Sequence, residues 1–311
     1  MKIAVVTDSN SGLSQEMGKE LGVTVIPMPF FIDGNEYFEG INLSQKEFFD
    51  KLASGSSFST SQPAIGVLME TWDEVLKDND YLLYFPMSSG LSKSCETATI
   101  LSKSDEYEGK VFVIDNKRIS VPLLQSIYDA LELIKKGLDV NEIVKILLDT
   151  SMEHDIFIML DTLEYLKKGG RITPAAAMLG GFLKLKPVLL IKGDKLDSYK
   201  MRNRTLDGAK QILKDACRKC MDKYLESDPN ATFHFEVAYS GVSNEEALKL
   251  AEEIKLEFNT SIVTVMPLSL SISCHTGPGA LGMAISKVVR YKNEEVVFNN
   301  RISILKEAQI N

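Results

Sequence analysis

The chain is 311 residues long, 44% hydrophobic, 8% aromatic and 25% charged, and its 35 basic against 43 acidic residues leave a formal charge of −8. That length predicts two domains with ample core, and that composition excludes disordered, collagen-like and membrane-spanning classes. The acidic balance argues against bulk nucleic-acid binding, and four cysteines are too few for a disulfide framework.

The apolar start, Ile3 to Val6, reads as a buried strand closed by Thr7-Asp8-Ser9. It is too short for the apolar region of a signal peptide, so a cytoplasmic protein without stable membrane insertion is expected. Further buried strands are predicted at Val23 to Pro27, Tyr81 to Phe85 and Val111 to Ile114. Helical spacing lies between them at Ile65 to Leu76 and Ser92 to Ser102, and after them at Leu123 to Lys136, which Gly137 stops. Asp139 and Glu142 form a capping pattern ahead of Ile143, Val144, Ile146 and Leu147, which share one helical face. Such alternation predicts an α/β unit, a Rossmann-like parallel sheet flanked by helices.

From about residue 155 the pattern changes. Ile156 to Leu160, Pro187 to Lys192, Leu196 to Tyr199, Phe233 to Ser240 and Ile262 to Met266 are strand-like, with long helices at Leu206 to Leu225 and Glu245 to Phe258. The expected organisation is an N-terminal α/β domain over 1–155 and a C-terminal α+β domain over 156–290. A C-terminal extension over 291–311 is expected to add a strand at Val296 to Phe298.

Three polar turns follow predicted strands of the first sheet: Thr7-Asp8-Ser9, Ser88-Ser89-Gly90-Leu91-Ser92 and Asp115-Asn116. Open parallel sheets bind ligands at the carboxyl ends of their strands, although each serine could equally cap a helix. Ser59-Thr60-Ser61-Gln62-Pro63 offers the same choice. Cys274-His275-Thr276-Gly277-Pro278-Gly279-Ala280-Leu281-Gly282, read as passing from a strand into a helix, contains G-x-G-x-x-G. The dinucleotide fingerprint also needs a βαβ unit and an acidic residue about 20 positions on, and too little chain remains, so NAD is not expected. What survives is a helix amino terminus offering N–H groups to an anion, with His275 beside it in the neutral form, suited to orienting a hydroxyl or carboxyl group. A serine nucleophile among Ser88, Ser89 and Ser92 paired with His275 stays open, although G-x-S-x-G is absent.

Cys217-x-x-Cys220 lies in a helical stretch without a second ligand pair, so no metal site is expected, and no cofactor. Met178, Leu179, Phe182 and Leu183, around Gly180-Gly181, read either as core or as the lining of a slot for an apolar chain. The basic runs Lys167-Lys168-Gly169-Gly170-Arg171 and Lys200-Met201-Arg202-Asn203-Arg204 stand out in an acidic chain.

Five ordered motifs over roughly residues 1 to 290 carry a resemblance: Val6-Thr7-Asp8-Ser9, Thr60-Ser61-Gln62-Pro63, Ser88-Ser89-Gly90-Leu91-Ser92, Leu163 through Ile172, and His275-Thr276-Gly277-Pro278-Gly279. With them the chain resembles the DegV family and, within it, the fatty-acid-binding component (FakB) of bacterial fatty acid kinase. The resemblance implies a two-domain α/β protein holding one long-chain fatty acid in a tunnel between the domains. By the same resemblance the carboxyl group would be bonded by Thr60 or Ser61, by Ser88, Ser89 or Ser92, and by His275 with Thr276 beside it. The acyl chain would run past Met178, Leu179, Phe182 and Leu183. Such a protein is a lipid-binding subunit and not itself an enzyme. A separate ATP-dependent kinase subunit would dock at Arg171, with Arg202 and Arg204 on the same face, and phosphorylate the carboxylate to an acyl-phosphate for phospholipid synthesis.

Two departures stand against that family pattern. Lys93-Ser94 follow the S-S-G-L-S motif where Gly-Thr is usual, and Asn116 through Pro122 replace a run of small residues. The cavity wall built by the first domain is therefore expected to differ. A serine hydrolase, or a carrier of another apolar carboxylate such as a sterol acid, remains the alternative.

Overall fold

The computed structural model describes residues 1–178, 185–200 and 204–298. β1 (Ile3–Asp8) runs through a single 3-10 turn into α1 (Gln15–Leu21), which Ser14 caps by accepting the Met17 N–H at 3.1 Å. β2 (Val23–Ile26) returns beside β1. β3 (Phe30–Ile32) and β4 (Asn35–Tyr37) then pair as a hairpin. After α2 (Gln45–Ala53), β5 (Phe58–Thr60) completes this small sheet on the other edge of β3. The first layer is finished by α3 (Ile65–Leu76), β6 (Tyr81–Phe85), α4 (Ser94–Leu101) and β7 (Val111–Val113). Its sheet has the order β2-β1-β6-β7 with every pair parallel, as the alternation in the sequence requires.

Two helices follow, α5 (Val121–Lys135) and α6 (Val140–Asp149). Asp139 and Glu142 make the predicted capping box of α6. The second sheet begins with β8 (His154–Met159) and continues, after α7 (Glu164–Gly169) and α8 (Pro174–Met178), with β9 (Val188–Ile191) and β10 (Asp197–Lys200). Then come α9 (Leu206–Ser227), β11 (Phe233–Tyr239), α10 (Glu245–Glu257), β12 (Val263–Pro267), α11 (Leu270–Thr276) and β13 (Leu281–Lys287). The order is β10-β9-β8-β13-β11-β12, antiparallel except for β11 with β12. A short hairpin, β14 (Arg290–Tyr291) and β15 (Glu294–Glu295), ends the described chain.

Packing assigns each sheet face a role. α9 and α10 cover one face of the second sheet through Leu213, Leu250 and Ile254. On its other face, register places Ile156, Ala284 and Glu236 in one cross-strand row and Ile158, Gly282 and Ala238 in the next. These rows face the first layer and floor the cavity described below. α5 packs between the layers, buried along nearly its whole length.

Three expectations are corrected. Residues 270–276, expected as part of a strand region, form α11, and the stretch after the G-x-G-x-x-G turn, expected as a helix, is β13, a central strand. Leu281, Met283 and Ile285 alternate toward one core while Gly282 and Ala284 face the other, so both faces are buried and the alternation of polarity that marks a strand is missing. Val296 to Phe298 form no strand. Val296 is instead fully buried in the core beside α5 and Phe298 stacks on Tyr128, ring centroids 5.1 Å apart.

Candidate functional site

A cavity of about 390 Å³ lies between the carboxyl edge of the parallel sheet and the floor of the second sheet. That is within the usual range of about 300–1,000 Å³ for small-molecule sites. It opens beside the β1–β6 pair, where the order β2-β1-β6-β7 reverses direction, the place where open α/β sheets bind ligands. The turn after β1 brings Asn10, the turn after β6 brings Leu91 and Ser92, and the segment entering α5 brings Ile119, Ser120 and Pro122.

Thr60, at the end of β5, and His275, in the last turn of α11, meet in its wall with Oγ1 and Nε2 2.9 Å apart. The two residues are far apart in the chain, and the small β4-β3-β5 sheet carries the first to the second. Gly169 makes room for the imidazole: a Cβ there would overlap its Nδ1 edge. Burial, followed by the neighbouring Arg171 charge, holds His275 down to about 4, so the ring is neutral at pH 7. This neutrality was expected from a helix amino terminus, and the cause is different. His275 stands at a helix carboxyl end, which favours the cation, and desolvation overrides it. Nδ1 is buried without a hydrogen-bond partner among the described residues. Leaving an acceptor unpaired costs less than stranding a buried N–H, so the proton belongs on Nε2, donated to Thr60 Oγ1. The Thr60 hydroxyl hydrogen then remains for a ligand oxygen.

Ser61, Ser92 and Thr276 also line the cavity. Ser61 and Lys93 are exposed, and they mark the side on which this end meets solvent. The other two serines of the motif, Ser88 and Ser89, lie off the wall. Ser88 is fully buried and donates to the Gly193 carbonyl at 2.6 Å. Ser89 Oγ accepts from Lys117 Nζ, which is ion-paired with Asp115 at 2.6 Å. The Ser88 hydroxyl pins the motif against the β9–β10 turn and the Ser89 hydroxyl ties it to the segment after β7, and Gly90 lets the backbones touch, since a Cβ would strike the Gly193 carbonyl. Ser92 accepts the Ser94 N–H at 3.2 Å, near the start of α4.

No serine–histidine–acid arrangement is assembled among the described residues: the His275 partner is Thr60, and no acid reaches Nδ1. Nor do the described residues contain a group of three or more His, Cys, Asp or Glu able to hold a metal ion. No described helix is long and apolar enough to cross a membrane.

Arg171 lines the cavity and is half-buried, donating to the Gly169 carbonyl at 2.6 Å and to Leu91 at 3.3 Å. It braces the wall behind His275. Arg204 is exposed, and Arg202 lies outside the described residues. Met178 is 85% exposed and off the cavity wall, which corrects its assignment to the lining. Leu179, Phe182 and Leu183 lie outside the described residues. The apolar lining comes instead from Met28, Ile119, Ile156, Ile158, Leu268 and Ile272. Apolar residues scattered over five elements or turns leave no signal in the sequence.

A polar chain that the sequence reading missed ties the two layers together. Asp8 accepts the Met87 N–H at 2.8 Å and the Asn10 N–H at 2.9 Å. The Asn10 side-chain carbonyl then accepts from Ser269 at 2.7 Å and Ser271 at 3.0 Å, at the start of α11. Burial pushes Asp8 up to about 7 against those two N–H groups. Only Thr7-Asp8-Ser9 as a polar strand-end turn pointed toward it.

Residues 2–288 match a family model described as an uncharacterised protein of the DegV family. A DegV domain-containing protein of Staphylococcus aureus is 30% identical over 290 residues, 92% of this chain and 99% of its own. A solved DegV family protein from Thermus thermophilus, described by its fatty acid binding, superposes with a TM-score of 0.83 at 28% identity, covering 93% of this chain and 100% of that one. DegV of Bacillus subtilis, described as a fatty acid binding protein, gives a TM-score of 0.78 at 27% identity over 92% of this chain and 99% of that one. With a family match that runs from β1 to the last residues around β13, the chain belongs to the DegV family.

Proposed function

We propose that the chain binds one long-chain fatty acid in this cavity, holds its carboxyl group at Thr60 and His275, and presents it to an ATP-dependent kinase subunit of the FakB type of system. The observation that carries the reading is a mainly apolar cavity whose solvent-facing end holds a neutral His–Thr pair. The fatty acid binding described for the Thermus and Bacillus relatives supports the same ligand class.

The energetics fit a preformed slot. A chain of about 15 methylenes gains roughly 12 kcal/mol gross at about 0.8 kcal/mol each. Association costs of about 4–15 kcal/mol must be met from that gain, so tight binding needs walls that do not reorganise. A carboxylate leaving water costs several kcal/mol unless donors meet it. The Thr60 hydroxyl, with Ser61 and Ser92 beside it, supplies them. Because the ring of His275 is neutral, the carboxylate keeps its charge and its nucleophilic oxygen. In the kinase step that oxygen attacks the γ-phosphorus, the bond to ADP breaks, and the chain itself contributes position alone. Phospholipid synthesis would draw on the acyl-phosphate.

Native mass spectrometry of the purified chain, followed by solvent extraction, tests the ligand. One fatty acid per chain is the expected result, and a different apolar carboxylate would name the other carrier. A protein that arrives empty and takes up no added fatty acid would remove the reading. Docking is tested separately. Arg204, exposed and off the cavity, is the clean probe: Arg204→Ala should leave acyl binding intact and lower turnover by an added kinase subunit. Arg171→Ala should disturb both, since its guanidinium braces Leu91 and Gly169.

A further inference from the structure

Besides the Thr60–His275 pair, the cavity wall carries polar groups that a plain hydrocarbon cannot use. Ser120 is 7% exposed, lines the cavity, and its Oγ has no hydrogen-bond partner among the described residues. It occupies the N-cap position of α5 without making the capping bond, with its backbone in the left-handed region at φ 57°. Glu236, 1% exposed, lines the same cavity from the middle of β11. Its side chain shares the floor with Ile156 and Ala284.

Each group connects to the His275 wall only through intervening residues. The Ser120 N–H donates to the Asn10 carbonyl at 2.8 Å, and the Asn10 side chain bonds Ser271, one helical turn before His275 on α11. That turn alone spans about 6 Å. Ser240, just after β11, donates to the Gly277 carbonyl at 2.5 Å, and Glu236 lies four residues earlier within the strand. The two groups also share a neighbour. Arg118 is two residues before Ser120, and the charge of Glu236, after that of Asp129, opposes the effect of burial on its guanidinium. α5, which Ser120 begins, packs on β11.

We propose that the preferred ligand is a hydroxylated long-chain fatty acid, whose chain hydroxyl is met by Ser120 Oγ and the Glu236 carboxyl while its carboxylate sits at Thr60 and His275. A ligand hydroxyl both accepts, from Ser120, and donates, to Glu236, so it satisfies a buried hydroxyl that stearic acid leaves unpaired. The proposal rests on the fatty-acid reading and narrows its substrate class.

The test compares stearic acid with stearic acids hydroxylated at mid-chain or at the terminal carbon, binding each to the delipidated full-length chain by calorimetry. At least one hydroxylated isomer is expected to bind about three- to tenfold more tightly than stearic acid. In Ser120→Ala that ratio should collapse toward one, and Ser120→Gly, which accepts the positive φ, should give the same collapse if the alanine variant folds poorly. If stearic acid binds and every hydroxylated isomer binds no better, the proposal is overturned while fatty-acid binding stands. If the ratio survives in both variants, Ser120 is not the partner and the proposal also falls. If no acid binds at all, the underlying reading fails first.

Discussion

A histidine kept neutral beside a threonine behaves as a hydrogen-bond donor of fixed direction. The proton on Nε2 goes to Thr60 Oγ1, and the threonine passes its own hydroxyl hydrogen to the ligand. With His275 held to about 4 against an ordinary 6.5, its contribution to stability is complete above about 6.5 and is lost as pH falls through 4. Imidazole NMR of the ligand-free protein should show His275 titrating near 4, and a midpoint near 6.5 would mean that the ring is solvated. Removing the donor is the companion experiment. Thr60→Val keeps the shape and deletes the hydroxyl, so acyl affinity should fall about ten- to a hundredfold, the value of a hydrogen bond to a charged group. An unchanged affinity would place the carboxylate elsewhere. At this scale Ser92 was legible in a strand-end turn, Thr60 and Ser61 in a polar segment before a helix, and His275 and Thr276 beside a glycine-rich turn; the cavity wall holds all five. Ser88 and Ser89 share that pattern and were not separable from Ser92, because what removes them from the wall is tertiary: the Gly193 carbonyl and the Lys117 ammonium.

Buried elements were readable where a run of large apolar residues or a cap marks them. β1 and β6 follow from short β-branched or aromatic runs ending in polar turns, and α6 from its capping box and one-sided stripe. β13 was misread because its small inner residues conceal the strand period, yet those residues make room for the ligand. Gly282 and Ala284 sit on the cavity floor between β8 and β11. At Ala284 a longer side chain extends into the cavity, so the usual overpacking cost of about 1–3 kcal/mol should not arise. Ala284→Leu is therefore expected to fold with little change in melting temperature and to hold a shorter acyl chain. Leucine adds three carbons to alanine, and the extracted chains should shorten by about that number. Mass spectrometry of the extract decides, and an unchanged chain-length profile would show that the acyl chain does not reach β13.

Across the molecule a polar seam joins the two layers alongside the apolar packing of α5. Asp8 at the end of β1, Asn10 after it, and Ser269 and Ser271 beginning α11 form one hydrogen-bonded run, and Glu39 accepts the Leu270 N–H at 2.9 Å beside it. Burial pushes the Asp8 and Glu39 carboxyls up to about 7, in each case against backbone N–H groups that favour the charged form. A raised carboxyl means that the native state holds a proton which the unfolded chain releases above about 4, so each acid costs stability as pH climbs from there to about 7. His275 works in the opposite sense over 4 to 6.5, and buried His154, pushed down mainly by desolvation, does likewise, so the melting curve of the wild type alone cannot isolate the acids. The difference between two proteins can. Asp8→Asn forfeits one of the two accepted N–H bonds at every pH, but it carries no ionisation penalty. Its deficit against the wild type should therefore be largest near pH 5 and shrink by about 1–2 kcal/mol near pH 8. Denaturant melts of the delipidated proteins at those two conditions measure it, and a gap that stays constant would mean that Asp8 is already ionised within the seam.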